Sequence, residues 1–397
     1  MTVDPPDLQA FRGSILHCLN DPGLGDGTAN AAVEFFEDGI LLLAKGRVQQ
    51  LGDVDTILPR LPEEIGVEDY TGKLIVPGFI DTHIHYPQTD MIASYGEQLL
   101  DWLEKYAFPS ERRFGDADHA AEVAEFFLDE LLRNGTTTAQ VLGTVHPRSV
   151  DAIFTAAQKR DLRLIAGKVL MDRYCPEDLR DTADQAYRDS KALIERWHHE
   201  DRLLYAITPR FAPTSTDAQL ARAGQLAREH EDAFVHNHIA ENKAEVAWVA
   251  ELYPQSRSYL DVYERYGLLR ERSVLAHCIH LGQTDRRRMA ETGAAMAFCP
   301  SANLFLGSGL FDLAAAKALD VRVGLGTDVG AGTSFNLLRT LSEAYKVVQL
   351  QGQKLAPFQA LYLATLAGAK ALHLDDKIGN FIRGKEADFV VLDLAST

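Results

Sequence analysis

Short apolar runs and amphipathic stretches alternate through the middle of this chain. Eight of the runs read as strands: Leu74–Ile80, Thr136–Leu142, Leu164–Leu170, Leu203–Thr208, Ala233–His236, Val274–Ala276, Ala294–Phe298 and Val321–Leu325. The stretches between them carry helical spacing, as in Ala120–Arg133, which stops at Asn134-Gly135, in Ala183–His198 and in Asp217–His230. Such alternation argues for βα units on a parallel sheet, and eight units close a barrel. The texture changes at both ends. From about residue 11 to 75 it is β-like, with Asp38-Gly39 and Lys45-Gly46 punctuating the apolar stretch from Phe35 to Val48 as hairpin turns do. A similar texture returns at Ile378–Phe381 and Ala387–Leu392. The predicted fold is α/β: a (β/α)8 barrel of TIM type with a small β-sandwich-like domain built from the N- and C-terminal segments. The expected boundaries are 1–75 and 373–397 for the small domain and 76–372 for the barrel.

Length and composition agree with this. A barrel of about 250 residues or more fits within 397, and 46% hydrophobic with 24% charged residues is ordinary for a globular chain. A net charge of −17 argues against a nucleic-acid groove or an anionic membrane surface, since either needs a basic patch. The four cysteines lie far apart with no Cys-x-x-Cys pair, which suits a reducing compartment. The N-terminus shows no basic region followed by an apolar stretch, so no signal peptide is expected. No run approaches the roughly 18–20 apolar residues of a membrane span. The expectation is a cytoplasmic protein with neither nucleic-acid nor membrane partners.

Chemistry concentrates where strands end. Asp81-Thr82-His83-Ile84-His85, His236-Asn237-His238-Ile239-Ala240-Glu241, Ala276-His277-Cys278 and Gly326-Thr327-Asp328 follow predicted strands one, five, six and eight. The active sites of barrels lie on that carboxyl-terminal face. Each residue alone has an ordinary explanation. A lone histidine is usually a satisfied core residue, Glu241 a solvated helix start, and Asp328 an N-cap. The combination shifts the balance. His83 and His85, two apart on a strand, face the same way. Three imidazole nitrogens and one carboxylate suit a divalent ion that keeps a position open for water. His236 shares a face with His238 and competes for the ligand role, but lies deeper in its strand. Glu241, three residues after His238, is placed to take a proton from water and pass it to a leaving nitrogen. A cation of this kind lowers the pKa of water to about 7, so hydrolysis at an electrophilic carbon is the natural reaction.

Pro77-Gly78-Phe79-Ile80-Asp81-Thr82-His83-Ile84-His85 resembles the opening motif of the amidohydrolase superfamily. Tyr86-Pro87-Gln88, the Leu100–Pro109 stretch, Thr208-Pro209-Arg210-Phe211, His238-Ile239-Ala240-Glu241-Asn242 and Gly324–Val329 resemble the guanine deaminase family within it. The likeness runs from about residue 35 to 392. It implies one zinc ion on His83, His85, His238 and Asp328, with iron(II) served by the same ligand types. It implies that Glu241 shuttles the proton, His277 hydrogen-bonds the attacking hydroxide and Asp328 helps deprotonate the water. Gln88, Arg210 and Phe211 would hold the purine, an amide and a guanidinium reading its edge and a phenyl ring packing on it. The reaction implied is hydrolytic deamination of guanine at C2, giving xanthine and ammonia, by a homodimer.

Two-metal members of the superfamily place a carboxylated lysine at the exit of strand four. Here Arg210 stands there and Lys168 lies on strand three, which favours a single metal. The unrelated deaminases with Pro-Cys-x-x-Cys are excluded by the missing cysteine pair. Two alternatives stay open. One is an aminohydrolase for another heterocycle, such as 8-oxoguanine, a pterin or a triazine. The other is a non-catalytic barrel scaffold, although such proteins typically lose ligands that are all present here. Members of the family continue beyond the Ala387–Leu392 strand, so a truncated or reduced small domain is expected.

Overall fold

The computed structural model describes residues 8–24 and 31–395. The chain divides into two compact units, one running to Ile80 and resuming at Lys354, the other spanning Asp81–Gln353.

In the first unit, β1 (Leu8–Cys18), β2 (Val33–Ala44), β3 (Arg47–Asp53) and β4 (Val67–Pro77) join with a last strand, Phe389–Leu392, in one sheet. The last strand pairs β4, followed by β1, β2 and β3. Only the β1–β4 pair is parallel. Lys45 and Gly46 both have positive φ, 51° and 71°, as a two-residue hairpin turn requires. The other expected turn is absent: β2 runs straight through Asp38-Gly39. There β1 and β2 slip register between Gly13 and Ile15, a bulge, and Arg12 clamps Asp38 with two hydrogen bonds of 2.8 and 2.7 Å. The expected sandwich is a single sheet covered on both sides. Leu41 and Leu43 pack with Ile15, Ile75 and Phe381 on one face. Ile40 and Leu42 pack with Val54 and Ile57 of a helical turn on the other, where a second sheet would otherwise lie.

The barrel strands are β5 (Phe79–His85), β6 (Thr136–Leu142), β7 (Arg163–Gly167), β8 (Val169–Leu170), β9 (Leu203–Pro209), β10 (Phe234–Ile239), β11 (Ser273–His277), β12 (Ala295–Phe298) and β13 (Arg322–Leu325). Their order is sequential from β5 to β13, with β8 a short extra strand on β9. From β6 to β13 the neighbouring strands pair in parallel, for example His238 opposite Ala276 and Phe298 opposite Leu325. Amphipathic helices separate them. Ala117–Arg133 buries Val123, Phe127 and Leu131, and Asp116 caps it by accepting the Asp118 and His119 N–H groups.

Two expected strands are divided. Leu74–Ile80 is interrupted at Gly78, where β4 ends and β5 begins, so His83 and His85 lie within β5 rather than beyond it. Leu164–Leu170 breaks at Lys168, whose buried amine pairs with Asp181.

The segment after β13 completes the ring. Asp328 N–H donates to His83 O and His85 N–H donates to Val329 O, each at 2.9 Å. Gly324 is needed at this seam, since a Cβ there would stand 2.3 Å from Thr82 Cγ2. Among the described residues no helix is long and apolar enough to cross a membrane.

Candidate metal centre and active site

The seam gathers the chemistry. β5 supplies His83 and His85, β10 supplies His238, and the turn after β13 supplies Asp328. Their ligand atoms all lie within 4.8 Å of one another. Asp328 Oδ1 stands 3.2 Å from His83 Nε2 and 3.3 Å from His85 Nε2, and His85 Nε2 is 3.1 Å from His238 Nε2. His83 Nε2 is buried and makes no hydrogen bond. Three imidazoles and a carboxylate converging with such an orphaned nitrogen fit a divalent cation.

Neighbours set which nitrogen faces inward. The Arg210 carbonyl, 2.8 Å from His238 Nδ1, can only accept, so the proton sits on Nδ1 and the Nε2 lone pair is free for the cluster. His236 is not part of the cluster. Its Nε2 meets His83 Nδ1 at 2.8 Å, behind the ring. His277 has the opposite arrangement. Asn303 presents its amide nitrogen to His277 Nδ1 at 2.8 Å, which leaves the proton on Nε2, 3.3 Å from Glu241 Oε2 and 3.8 Å from Asp328 Oδ2.

Charge states follow from burial and company. Burial, then the nearby Asp328 charge, pushes the Glu241 carboxyl well above its ordinary range. Burial also opposes ionisation of Asp328. The imidazoles of His83 and His85 standing against it outweigh burial and hold that carboxyl well below the usual range. Burial lowers His85 and His238, and brings His277 down to about 3. Ser308 Oγ donates to Glu241 Oε1 at 3.0 Å. Glu245 ties down the turn carrying Glu241 by accepting the Glu241 and Asn242 N–H groups at 2.9 and 3.1 Å. Ala240, His277 and Asp328 have left-handed backbone, with φ of 50°, 74° and 52°. For residues with side chains, such strain concentrates at functional sites.

A pocket opens over this cluster. Gln88, Arg210 and Phe211 line it with Leu99, Trp102, Leu103 and Leu306. All nine candidate residues, His83, His85, Gln88, Arg210, Phe211, His238, Glu241, His277 and Asp328, thus lie around one centre. Lys168 is outside it, paired with Asp181. A second cluster, His198, His199 and Asp232, is held differently. Tyr205 N–H donates to His198 Nδ1 at 2.9 Å, which keeps the proton on Nε2 toward Asp232 and removes the lone pair a metal needs. Sequence reasoning passed over Glu111, Asn303, Ser308 and Glu245. Asn303 and Glu245 carried a faint signal, each lying a few residues past a strand's end.

A metal-binding group on the carboxyl-terminal face of a (β/α)8 barrel defines a class, the metallo-dependent barrel proteins. The model of the amidohydrolase family matches residues 74–397. The chain is 56% identical to guanine deaminase from Escherichia coli (strain K12), over 98% of this chain and 89% of the relative. The solved structure of E. coli guanine deaminase superposes with a TM-score of 0.95 at 55% identity, covering 98% and 90% of the two chains. That of guanine deaminase from C. acetobutylicum, with guanine bound in its active site, gives 0.89 at 25% identity, covering 97% and 90%. The chain belongs to the amidohydrolase family, in its guanine deaminase branch.

Proposed function

We propose that this chain is a zinc-dependent guanine deaminase of purine catabolism and salvage, cytoplasmic and homodimeric, converting guanine and water to xanthine and ammonia. One observation carries the reading: His83, His85, His238 and Asp328 converge beneath a cavity whose wall holds Gln88, Arg210 and Phe211. His83, His85, His238 and Asp328 would hold the ion. When bound, zinc supplies positive charge that acidifies water and offsets charge developing at the attacked carbon.

The chain's own groups account for the protons. Asp328, held ionised, accepts one from the attacking water at a carboxylate oxygen. Glu241, held protonated by burial, donates to the ring nitrogen beside C2 as the oxygen adds. His277 Nε2–H hydrogen-bonds that oxygen. On collapse, Glu241 recovers a proton from the new hydroxyl, and Asp328 returns its proton to the departing amine. Ammonia leaves and xanthine remains. Gln88 and Arg210 hold the far edge of the ring, and Phe211 packs against it.

Ammonia release from guanine, 8-oxoguanine, a pterin and a triazine tests the reading, together with metal analysis of the purified protein. Guanine is the expected best substrate, with one zinc per chain. Turnover of another heterocycle but not guanine overturns the substrate, and a metal-free protein releasing no ammonia returns the chain to the scaffold class.

A further inference from the structure

Gln88 and Arg210 lean on one carboxylate. Glu111, fully buried, accepts Gln88 Nε2–H on Oε1 at 2.9 Å and Arg210 Nη1–H on Oε2 at 2.5 Å, so both its oxygens are engaged. The other end of the Gln88 amide accepts the Gly330 backbone N–H on Oε1 at 3.1 Å. The amide orientation is therefore determined twice, because an N–H only donates and a carboxylate only accepts. Arg210 is further held over the Phe108 ring, 5.5 Å from its centroid. Only donors remain for the cavity: the second amide N–H of Gln88 and the other guanidinium N–H groups of Arg210. His85 Nδ1 lies 3.4 Å from Gln88 Nε2, but a ring that ligates through Nε2 carries its proton on Nδ1 and accepts nothing there.

We propose that Glu111 is a positioning residue that makes this wall donor-only, so that the pocket selects a heterocycle presenting a ring carbonyl there and rejects one presenting an amino group. The inference rests on the guanine deaminase reading above. Guanine offers its 6-carbonyl. 2,6-Diaminopurine has the same skeleton and size but sets a 6-amino donor against the donors of Gln88 and Arg210. A buried donor left without an acceptor is a strong basis for rejection, stronger than a difference in shape. Paired with Arg210, Glu111 also leaves the wall without net charge, which suits a neutral lactam.

Glu111→Gln in the zinc-loaded full chain tests this. The variant removes the counter-charge and replaces an acceptor-only group with an amide that can turn either way, releasing Gln88 and Arg210. The readouts are kcat and KM for guanine from ammonia release, the Ki of 2,6-diaminopurine as a competitor, and zinc content. In the parent, the Ki is expected at least about tenfold above the guanine KM. In the variant, the guanine KM rises about tenfold or more, kcat stays within about threefold, the Ki does not rise and zinc is retained. A merely structural role would move KM and Ki together. A guanine KM within about threefold of the parent, or a parallel rise of both constants, overturns the inference. Should Glu111→Gln fail to fold, Glu111→Asp keeps the charge but is too short to hold both partners, and a smaller loss of discrimination is expected; unchanged discrimination overturns the inference. A parent that releases no ammonia from guanine removes the functional reading and this inference with it. A parent that turns over guanine while Glu111→Gln is indifferent removes this inference alone.

Discussion

Which ring nitrogen carries the proton separates the histidines of this site into different roles. His238 hands its Nδ1 proton to a backbone carbonyl and turns a lone pair inward, whereas His277 receives Asn303 on Nδ1 and turns an N–H inward. The same residue type is thus an electron-pair donor at one strand end and a proton donor at the next. Glu241 stands beside the second kind, and its role can be tested by a change that alters little else. Glu241→Gln is nearly isosteric and leaves the proposed ligands His83, His85, His238 and Asp328 in place. It should retain zinc while kcat falls by about 10²–10⁴-fold, the usual contribution of a positioned acid–base group. Metal analysis beside steady-state kinetics decides, and full turnover would remove Glu241 from the proton path. The histidine islands, Glu241 and Asp328 were legible because each closes an apolar run. Glu111 was not, Asn303 was only faintly so, and Ser308 was not. Their partners lie 99, 26 and 67 positions away, and no local pattern marks such a pairing.

At the scale of elements, the alternation of short apolar runs with stretches of period 3.6 carried the eightfold repeat, since barrel strands are buried on both faces and each helix must turn an apolar side to the core. Its failures have one cause. Leu74–Ile80 is continuously apolar, yet it serves two strands in succession, and only the partners on either side of Gly78 reveal the division. Asp38-Gly39 has the chemistry of a turn, but the Arg12 clamp and the paired β1 hold it in a bulged strand. Helix ends are more local. Asp116 caps Ala117–Arg133 through two backbone N–H groups and takes no part in the cavity. Asp116→Ala should lower stability by about 1 kcal/mol and leave guanine turnover unchanged. A denaturant midpoint equal to the parent's would show that water replaces the cap at no cost.

For the whole molecule, the barrel's closing seam and the proposed metal centre coincide. His83 and Asp328 are joined through the backbone across the seam and through their side chains at the centre. Binding a cation there favours the folded state over the unfolded one, by about 2.7 kcal/mol at a free metal concentration 100 times Kd. Chelation should therefore abolish ammonia release and lower Tm by about 5 °C or more, with both restored by zinc. A Tm indifferent to chelation, with activity lost, would separate the site from the closure of the fold.

Periodicity and residue type, which are properties of neighbouring positions, were enough to specify eight βα units and to place histidines and carboxylates at the mouths of their strands. Tertiary structure alone decided which of these groups meet, which imidazole nitrogen each presents, and that a distant glutamate, Glu111, holds Gln88 and Arg210 together. Hydrogen-bond complementarity and burial act between atoms brought close in space, whatever their separation along the chain.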